Sequence, residues 1–487
     1  MTLIALTDRS SGKPKSISHD LVTSLRGRLR GAAVLPGEDG YDAARTVWNA
    51  MIDRHPALVV RCQDAADVIE AIRFARQHKL LLSVRSGGHN IAGSAVCDNG
   101  LLIDLSLMNS VQVDPAGRTA RVAPGATLAD FDKEAQKFGL ATPTGINSTT
   151  GVAGLTLGGG FGWTTRKFGL TVDNLLSANV VSAEGKLVRA SDKENQDLFW
   201  ALRGGGGNFG VVTSFEFKLH PLGPEVLSGL LVHPLENARE LLSEFRRIAM
   251  QGPDELTIWA VMRKAPPLPF LPAEWHGREV LIFAACYSGD IKEGEMALRP
   301  LRTLGNPIAD VISPHRFVDW QAAFDPLLTP GARNYWKSHD FADLSDDAIN
   351  VIVQAVDTLP SPECEVFIAN VGGAMARIPA EATAWPTRDA HFIMNVHTRW
   401  REKAQDAACV AWTRQLFEAT ARFASGSVYV NFMPDDEKDR VEKAYGANYH
   451  RLSEIKHRYD PDNLFRMNQN IQPMSDIRSH HQKPRAP

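Results

Sequence analysis

Apolar positions along this chain switch between two periods, and the switches mark its elements. Over residues 58–106, the apolar run ALVVRC gives way to a segment opening at Asp64, in which Val68, Ile69, Ile72 and Ala75 recur at helical spacing. Two strand-like runs, LLLSV and LLIDLS, follow it, so the stretch predicts an αβ unit. Asp64 stands where a helix N-cap is needed and Asp67 in the first turn, positions at which carboxylates meet unpaired backbone N–H groups. Further on, SVQVD and TARVAP read as strands, and NVVSAEGKLVRA as a hairpin turning at Glu184-Gly185. The first 220 or so residues are thus predicted to be mixed α/β and dense in glycine loops.

The pattern changes where VVTSFEFKLH runs into the turn formers His220-Pro221-Leu222-Gly223-Pro224. From about 225 to 425, apolar strands (VLIFAACYS, CEVFIANVG, HFIMNVHTRW) alternate with amphipathic helices such as ENARELLSEFRRIAM, as in an antiparallel sheet covered by helices. APPLPFLPAEW is expected to be an irregular loop. The last sixty residues hold VYVNF, a helical run from Glu437 to His457, and the turn DPDN. These shifts divide the chain into segments 1–222, 223–425 and 426–487, in an α+β fold.

Composition narrows the function. With 487 residues, 44% of them hydrophobic, the chain exceeds a single usual core. A net charge of −3 from 53 basic and 56 acidic residues, without a long run of either sign, carries no electrostatic footprint for nucleic acid and points to small-molecule partners. The five cysteines are odd in number, scattered and free of C-x-x-C pairs, so they signal neither a disulfide framework nor a thiolate metal site. No signal-like or membrane-length apolar run occurs, and a cytoplasmic protein without membrane partners is expected. Nothing in the pattern specifies an oligomeric state.

Three glycine-dense stretches carry candidate chemistry. Arg85-Ser86-Gly87-Gly88-His89-Asn90, with Gly93 beyond, follows the strand LLLSV, where adjacent glycines let backbone N–H groups approach an anion closely. Residues 151–162 hold six glycines in twelve positions, too many for a stable helix, with apolar residues between them. That composition suits close approach of backbone to a large flat ligand. Gly205-Gly206-Gly207-Asn208-Phe209-Gly210 spells G-x-G-x-x-G but follows a helix-like segment and opens a strand, which excludes a Rossmann fingerprint.

Together RSGGHNIAG, GVAGLTLGGGFGW, RGGGGNFGVVTSFEF, YVNF and YGANYHRLSEIKHRYDPDNLFRMNQNI resemble the berberine-bridge-enzyme-like flavoproteins of the vanillyl-alcohol-oxidase superfamily, over roughly residues 50–473. The resemblance implies a split PCMH-type FAD-binding domain, made of the N-terminal part and the C-terminal segment, with an inserted substrate domain. It implies FAD held covalently by an 8α bond to His89, with Arg85, Ser86, Gly87, Gly88, Asn90, Gly93, Thr149, Gly151, Gly154, Gly159, Phe161, Gly210, Val212 and Asn431 around the cofactor. Many relatives add a thioether from a cysteine four residues before the glycine at 151. Asn147 stands there, so a single link is expected, and Cys97 reads as a small buried apolar residue.

Hydride removal needs a base for the donor's O–H or N–H proton. The resemblance places Tyr429 in that role, and a tyrosine needs a partner or cationic surroundings to act near neutral pH. In HFIMNVHTRW, strand alternation puts Asn395 and His397 on one face. Sugar-oxidising relatives have a carboxylate where His397 stands; this histidine is expected either to take the Tyr429 proton or to be the base itself. Thr150 matches a position that gates oxygen access in plant relatives. Its modest bulk favours an oxidase that uses O2 and releases H2O2. A dehydrogenase with another acceptor and a non-catalytic flavin-binding protein remain the alternatives.

Overall fold

The structure is a computed structural model and describes residues 3–474; the ends of the 1–222 and 426–487 segments, residues 1–2 and 475–487, lie outside the described residues. Near the N-terminus, Asp64 caps the helix Ala65–Gln77 by accepting from the N–H groups of Ala66 and Asp67. Val68, Ala71, Ile72 and Ala75 form its buried face. The helix joins a four-stranded sheet in which Leu58–Arg61 and Leu82–Arg85 both run parallel to Leu101–Asp104, with Ala32–Val34 antiparallel at one edge. A five-stranded antiparallel sheet follows, ordered Leu187–Ser191, Leu175–Val181, Val211–Lys218, Thr119–Val122, Val111–Asp114. The predicted hairpin lies at its edge.

Between residues 225 and 400 the chain builds an eight-stranded sheet, every pair antiparallel. Its strands Glu225–Pro234, Leu256–Lys264, Glu279–Tyr287, Glu365–Asn370 and Phe392–Trp400 are buried at almost every position because both faces are covered. Ile258, Ala260 and Met262, Phe283, Val366 and Ile368, and Met394 and Val396 pack against the helices Ala238–Gln251, Asp346–Val356 and Asp406–Thr420. The alternate positions, among them Trp259, Phe367, Asn395 and His397, face a cavity instead. A period of two therefore separates core from site within each strand.

The C-terminal segment packs into the core of the antiparallel N-terminal sheet: Val441, Tyr445, Leu452 and Ile455 share a cluster with Val122, Phe209, Phe215 and Phe217. The helical run expected from Glu437 to His457 is broken. A 3-10 stretch Asp435–Arg440, a short helix Val441–Tyr445 and the helix Tyr449–Tyr459 replace it, with Gly446 at φ +48° between them. The left-handed backbone at Gly446 is open to glycine and ends the helical ladder. The six-glycine stretch departs from expectation the other way, since Val152–Leu157 is helical. Burial of Val152, Ala153, Thr156 and Leu157 supports this short helix where intrinsic propensity would not. Among the described residues, no helix is long and apolar enough to cross a membrane.

One buried ion pair locks the C-terminal segment in place. Lys456 Nζ donates to Asp460 Oδ2 (2.6 Å) and to the carbonyls of Asn208 (2.8 Å) and Phe465 (2.9 Å). Asp460 also accepts from the N–H groups of Leu464 and Phe465, and both side chains are fully buried. Burial brings the ammonium down to about 8 although Asp460 opposes the shift. Lys456→Met should leave a buried, unpaired carboxylate and destabilise the fold by about 3–5 kcal/mol. Calorimetric unfolding of the variant checks this; a loss below about 1 kcal/mol would show that the pair is not what anchors the segment.

Candidate active site

A cavity of about 380 Å³ lies between the glycine loops and C-terminal segment on one side and the large sheet on the other. Its N-terminal wall is mostly backbone: Gly87, Gly88, Gly151, Gly154, Gly206, Gly207 and Gly210 line it. Gly87 and Gly151 touch so closely that a Cβ on either would fall 2.3–2.4 Å from the other's nitrogen. At Gly154 and Gly207 a Cβ would meet nothing within 4 Å. The stretch rejected as a Rossmann fingerprint thus still borders the cavity, but between the helix Gln196–Leu202 and the strand Val211–Lys218. Tyr445 Oη and Asn468 Oδ1, both on this cavity, are buried without a protein partner. Backbone walls, open space beside glycine and orphaned polar atoms fit a large flat ligand with a polar periphery.

Most of the expected cofactor-side residues line this cavity: Ser86, His89, Asn90, Thr150, Phe161, Val212 and Asn431 join the glycines at 87, 88, 151, 154 and 210. Four do not. Arg85 turns its guanidinium to the carbonyls of Ala43 and Ala44. Gly93 packs on Ile52 and Gly159 on the Trp385 ring, both at positive φ. Thr149 stands behind His89 and supports it: its hydroxyl donates to Asn147 Oδ1 (2.7 Å), leaving the oxygen to accept from His89 Nε2 (3.0 Å). The His89 ring also stacks on Trp48 at 5.2 Å. Burial pushes its pKa down to about 4 although a hydrogen bond to the Thr149 backbone opposes the shift, which keeps the ring neutral. Cys97 is fully buried beside Ser83, as expected.

On the sheet side the walls are aromatic. Phe161 meets Tyr429 (5.1 Å) and Trp259 (5.7 Å), and Trp259 stacks on Phe367 (5.2 Å). The Tyr429 hydroxyl accepts from the Gly160 N–H (3.1 Å) and from Asn431 Nδ2 (2.9 Å). Burial raises its pKa to about 12 despite these two donors. Of the two roles expected for His397, taking the Tyr429 proton has no hydrogen bond to serve it: the Tyr429 hydroxyl is bonded to Gly160 and Asn431, and His397 Nε2 has no partner. The two rings are linked through Phe432, 4.8 Å from the Tyr429 ring, and Trp336, 4.6 Å from the His397 ring, which pack edge to face at 5.7 Å.

His397 instead bonds through Nδ1 to Glu365 Oε1 at 2.9 Å. Glu365 Oε2 in turn accepts from Arg263 Nη1 at 2.6 Å. Burial alone would raise the Glu365 carboxyl, but the Arg263 charge and the His397 hydrogen bond hold it at about 2, fully ionised near neutral pH. The carboxylate that His397 was expected to replace is thus supplied by the neighbouring strand. Asn395 shares the cavity face with His397, and both of its amide atoms are buried without a partner.

Family models match an FAD binding domain over residues 56–191 and a berberine and berberine-like segment over residues 428–472. An (R)-6-hydroxynicotine oxidase from Paenarthrobacter nicotinovorans is 32% identical over 470 residues, covering 94% of this chain and 99% of the relative. The chain belongs to the berberine-bridge-enzyme-like FAD-linked oxidoreductases. An FAD-linked oxidoreductase of Dictyostelium discoideum is also 32% identical, over 88% of this chain and 91% of its own. The crystal structure of 6-hydroxy-D-nicotine oxidase from Arthrobacter nicotinovorans superposes with a TM-score of 0.83 at 30% identity, over 92% and 98% of the two chains.

For a berberine-bridge-like oxidoreductase, the side chains that motif reading missed are Glu365, Arg263, Trp48 and Trp336. None stands in a glycine motif; the only local signal was the strand alternation of CEVFIANVG, which is too apolar to make one glutamate stand out. The glycine contact generates a direct test. Gly151→Ala drives a methyl into the Gly87 backbone and should cost about 1–3 kcal/mol, with loss of flavin content. Gly154→Ala, helical and unobstructed by any protein atom, should leave the stability of the flavin-free protein equal or slightly raised. Thermal unfolding of both variants decides, and equal behaviour would remove the close approach as a constraint.

Proposed function

We propose that this enzyme is an FAD-dependent oxidase that removes a hydride equivalent from a small, largely apolar alcohol, amine or activated C–H donor and passes the electrons to O2, releasing H2O2. The observation that carries this reading is the cavity itself, with a backbone-lined half suited to the cofactor and an aromatic half where Tyr429, Asn395 and His397 present polar atoms. The name of the nicotine oxidase relative supports both the oxidase class and a small aromatic nitrogen-bearing donor. Bound FAD supplies a two-electron acceptor; the chain's own residues bind the donor, hold it and manage its proton.

His89 is the attachment residue in this reading. Its neutral ring, held by Thr149 through Nε2, leaves the Nδ1 lone pair for a bond to the flavin 8α carbon. Asn147, bonded to Thr149, cannot form a thioether, so one covalent link is proposed. Thr150 on the cavity wall leaves room for O2. Tyr429, with two donors on its oxygen, directs its remaining proton outward to the donor's heteroatom.

An anaerobic donor panel tests the function: one or more small apolar amines or alcohols should bleach the flavin, and admitting air should restore colour with one H2O2 per donor. Bleaching that only an artificial acceptor reverses would replace oxidase by dehydrogenase; no bleaching by any donor would leave a flavin-binding protein. Acid-precipitated wild-type protein should stay yellow, whereas His89→Ala should release its FAD. Colourless wild-type precipitate would refute the covalent assignment.

A further inference from the structure

Three neighbouring strands of the large sheet place Arg263, Glu365 and His397 directly opposite one another in register, across chain separations of 102 and 32 residues. All three side chains lie on the cavity face rather than the helix-covered face. Arg263 occupies one oxygen of the Glu365 carboxylate and His397 Nδ1 the other, so the carboxylate is satisfied on both sides. His397 Nε2 is buried and has no partner. A ladder serving only to hold the sheet together would leave no such atom exposed to a ligand space, because an unpartnered buried polar group is costly.

An ionised carboxylate accepts and cannot donate, so the neutral imidazole beside it carries its proton on Nδ1. We propose that Glu365 is a positioning residue that fixes this tautomer, and that His397 Nε2 is the proton acceptor for the donor's O–H or N–H. The donor's heteroatom–hydrogen bond breaks, the proton forms a bond to Nε2, and the electron pair stays on the heteroatom. The resulting imidazolium remains bonded to the anionic Glu365, whose charge stabilises it. Asn395, two residues away on the same face with a free donor and a free acceptor, holds the same heteroatom or its neighbour. Tyr429 is then a hydrogen-bond donor to the substrate and not its base.

The remaining groups around His397 leave this assignment intact. Trp336 packs on its ring edge to face from the other neighbouring strand, and Phe367 lies 6.5 Å away. Arg399, on the same strand, is committed to Glu363 and to Thr329, with its guanidinium over Trp48. Glu365, and Arg263 through it, are therefore the charged groups joined to the imidazole by hydrogen bonds.

The inference rests on the reading of this cavity as a donor site, and two measurements separate their fates. Histidine-selective 15N labelling of the wild-type holoenzyme should show the neutral His397 ring with a protonated Nδ1 and a bare Nε2. Glu365→Gln should change that tautomer population; a bare Nδ1 in the wild type would overturn the proposal without any variant having to fold. In anaerobic flavin bleaching, His397→Gln should slow the rate by about 10²–10⁴. Glu365→Gln, which removes the anion that steadies the imidazolium, should slow it by a smaller factor without loss of flavin, and Glu365→Asp should restore part of the rate. Wild-type bleaching by His397→Gln together with a loss of about 10² or more in Tyr429→Phe would make Tyr429 the base. Failure of every donor to bleach the wild type would sink the oxidase reading, and the 15N tautomer would still judge the dyad.

Discussion

The contact between the backbones of Gly87 and Gly151 is the constraint on which the rest of the site depends. Two loops from different parts of the chain can approach this closely only if neither carries a side chain at the crossing point. Their meeting brings His89, on one loop, within hydrogen-bond reach of Thr149, beside the other. It also sets the backbone-lined wall of the cavity against the aromatic face of the large sheet. Any side chain at either glycine would part the loops and with them the two halves of the site.

The large sheet plays the complementary part. Because strand side chains alternate, one set of positions can be given wholly to the helical core while the other is shaped for a ligand. Ile258, Ala260 and Met262 belong to the first set on their strand, and Trp259, Val261 and Arg263 to the second. A charge on the cavity set meets its neighbours across the strands and not along the chain. The Arg263–Glu365–His397 row is the outcome, with the central carboxylate satisfied from both sides and the unpartnered Nε2 edge of the imidazole left to the cavity.

The C-terminal segment closes the arrangement. Tyr429 and Phe432 reach the cavity from it, and the Tyr429 hydroxyl is held by Gly160 of the glycine stretch. Asn208 binds the segment in both directions, donating to the Gln469 carbonyl and accepting from the Ile471 N–H. Lys456 and Asp460 complete the same junction. Tyr429 and Phe432 are thus fixed on the cavity by the contacts that return the chain to its N-terminal part.

Much of this was legible in the sequence wherever the cause is local. The Asp64 cap, the helix behind it, the hairpin at Glu184-Gly185 and the shared face of Asn395 and His397 follow from capping chemistry and from periods of 3.6 and 2, which act within a few residues. Motif resemblance extended that reading to FAD and to His89, Phe161 and Tyr429. Tertiary structure alone decided which groups meet. Glu365 faces His397, and Tyr429 answers to Gly160 and Asn431 instead, because register and loop crossing are set by packing over the whole chain. The same packing stabilises the helix Val152–Leu157 against its glycine content. At Gly446 the chain adopts a left-handed backbone that the periodicity of its neighbours does not encode. Local periodicity tells each side chain which way to face; only the folded chain determines what it finds there.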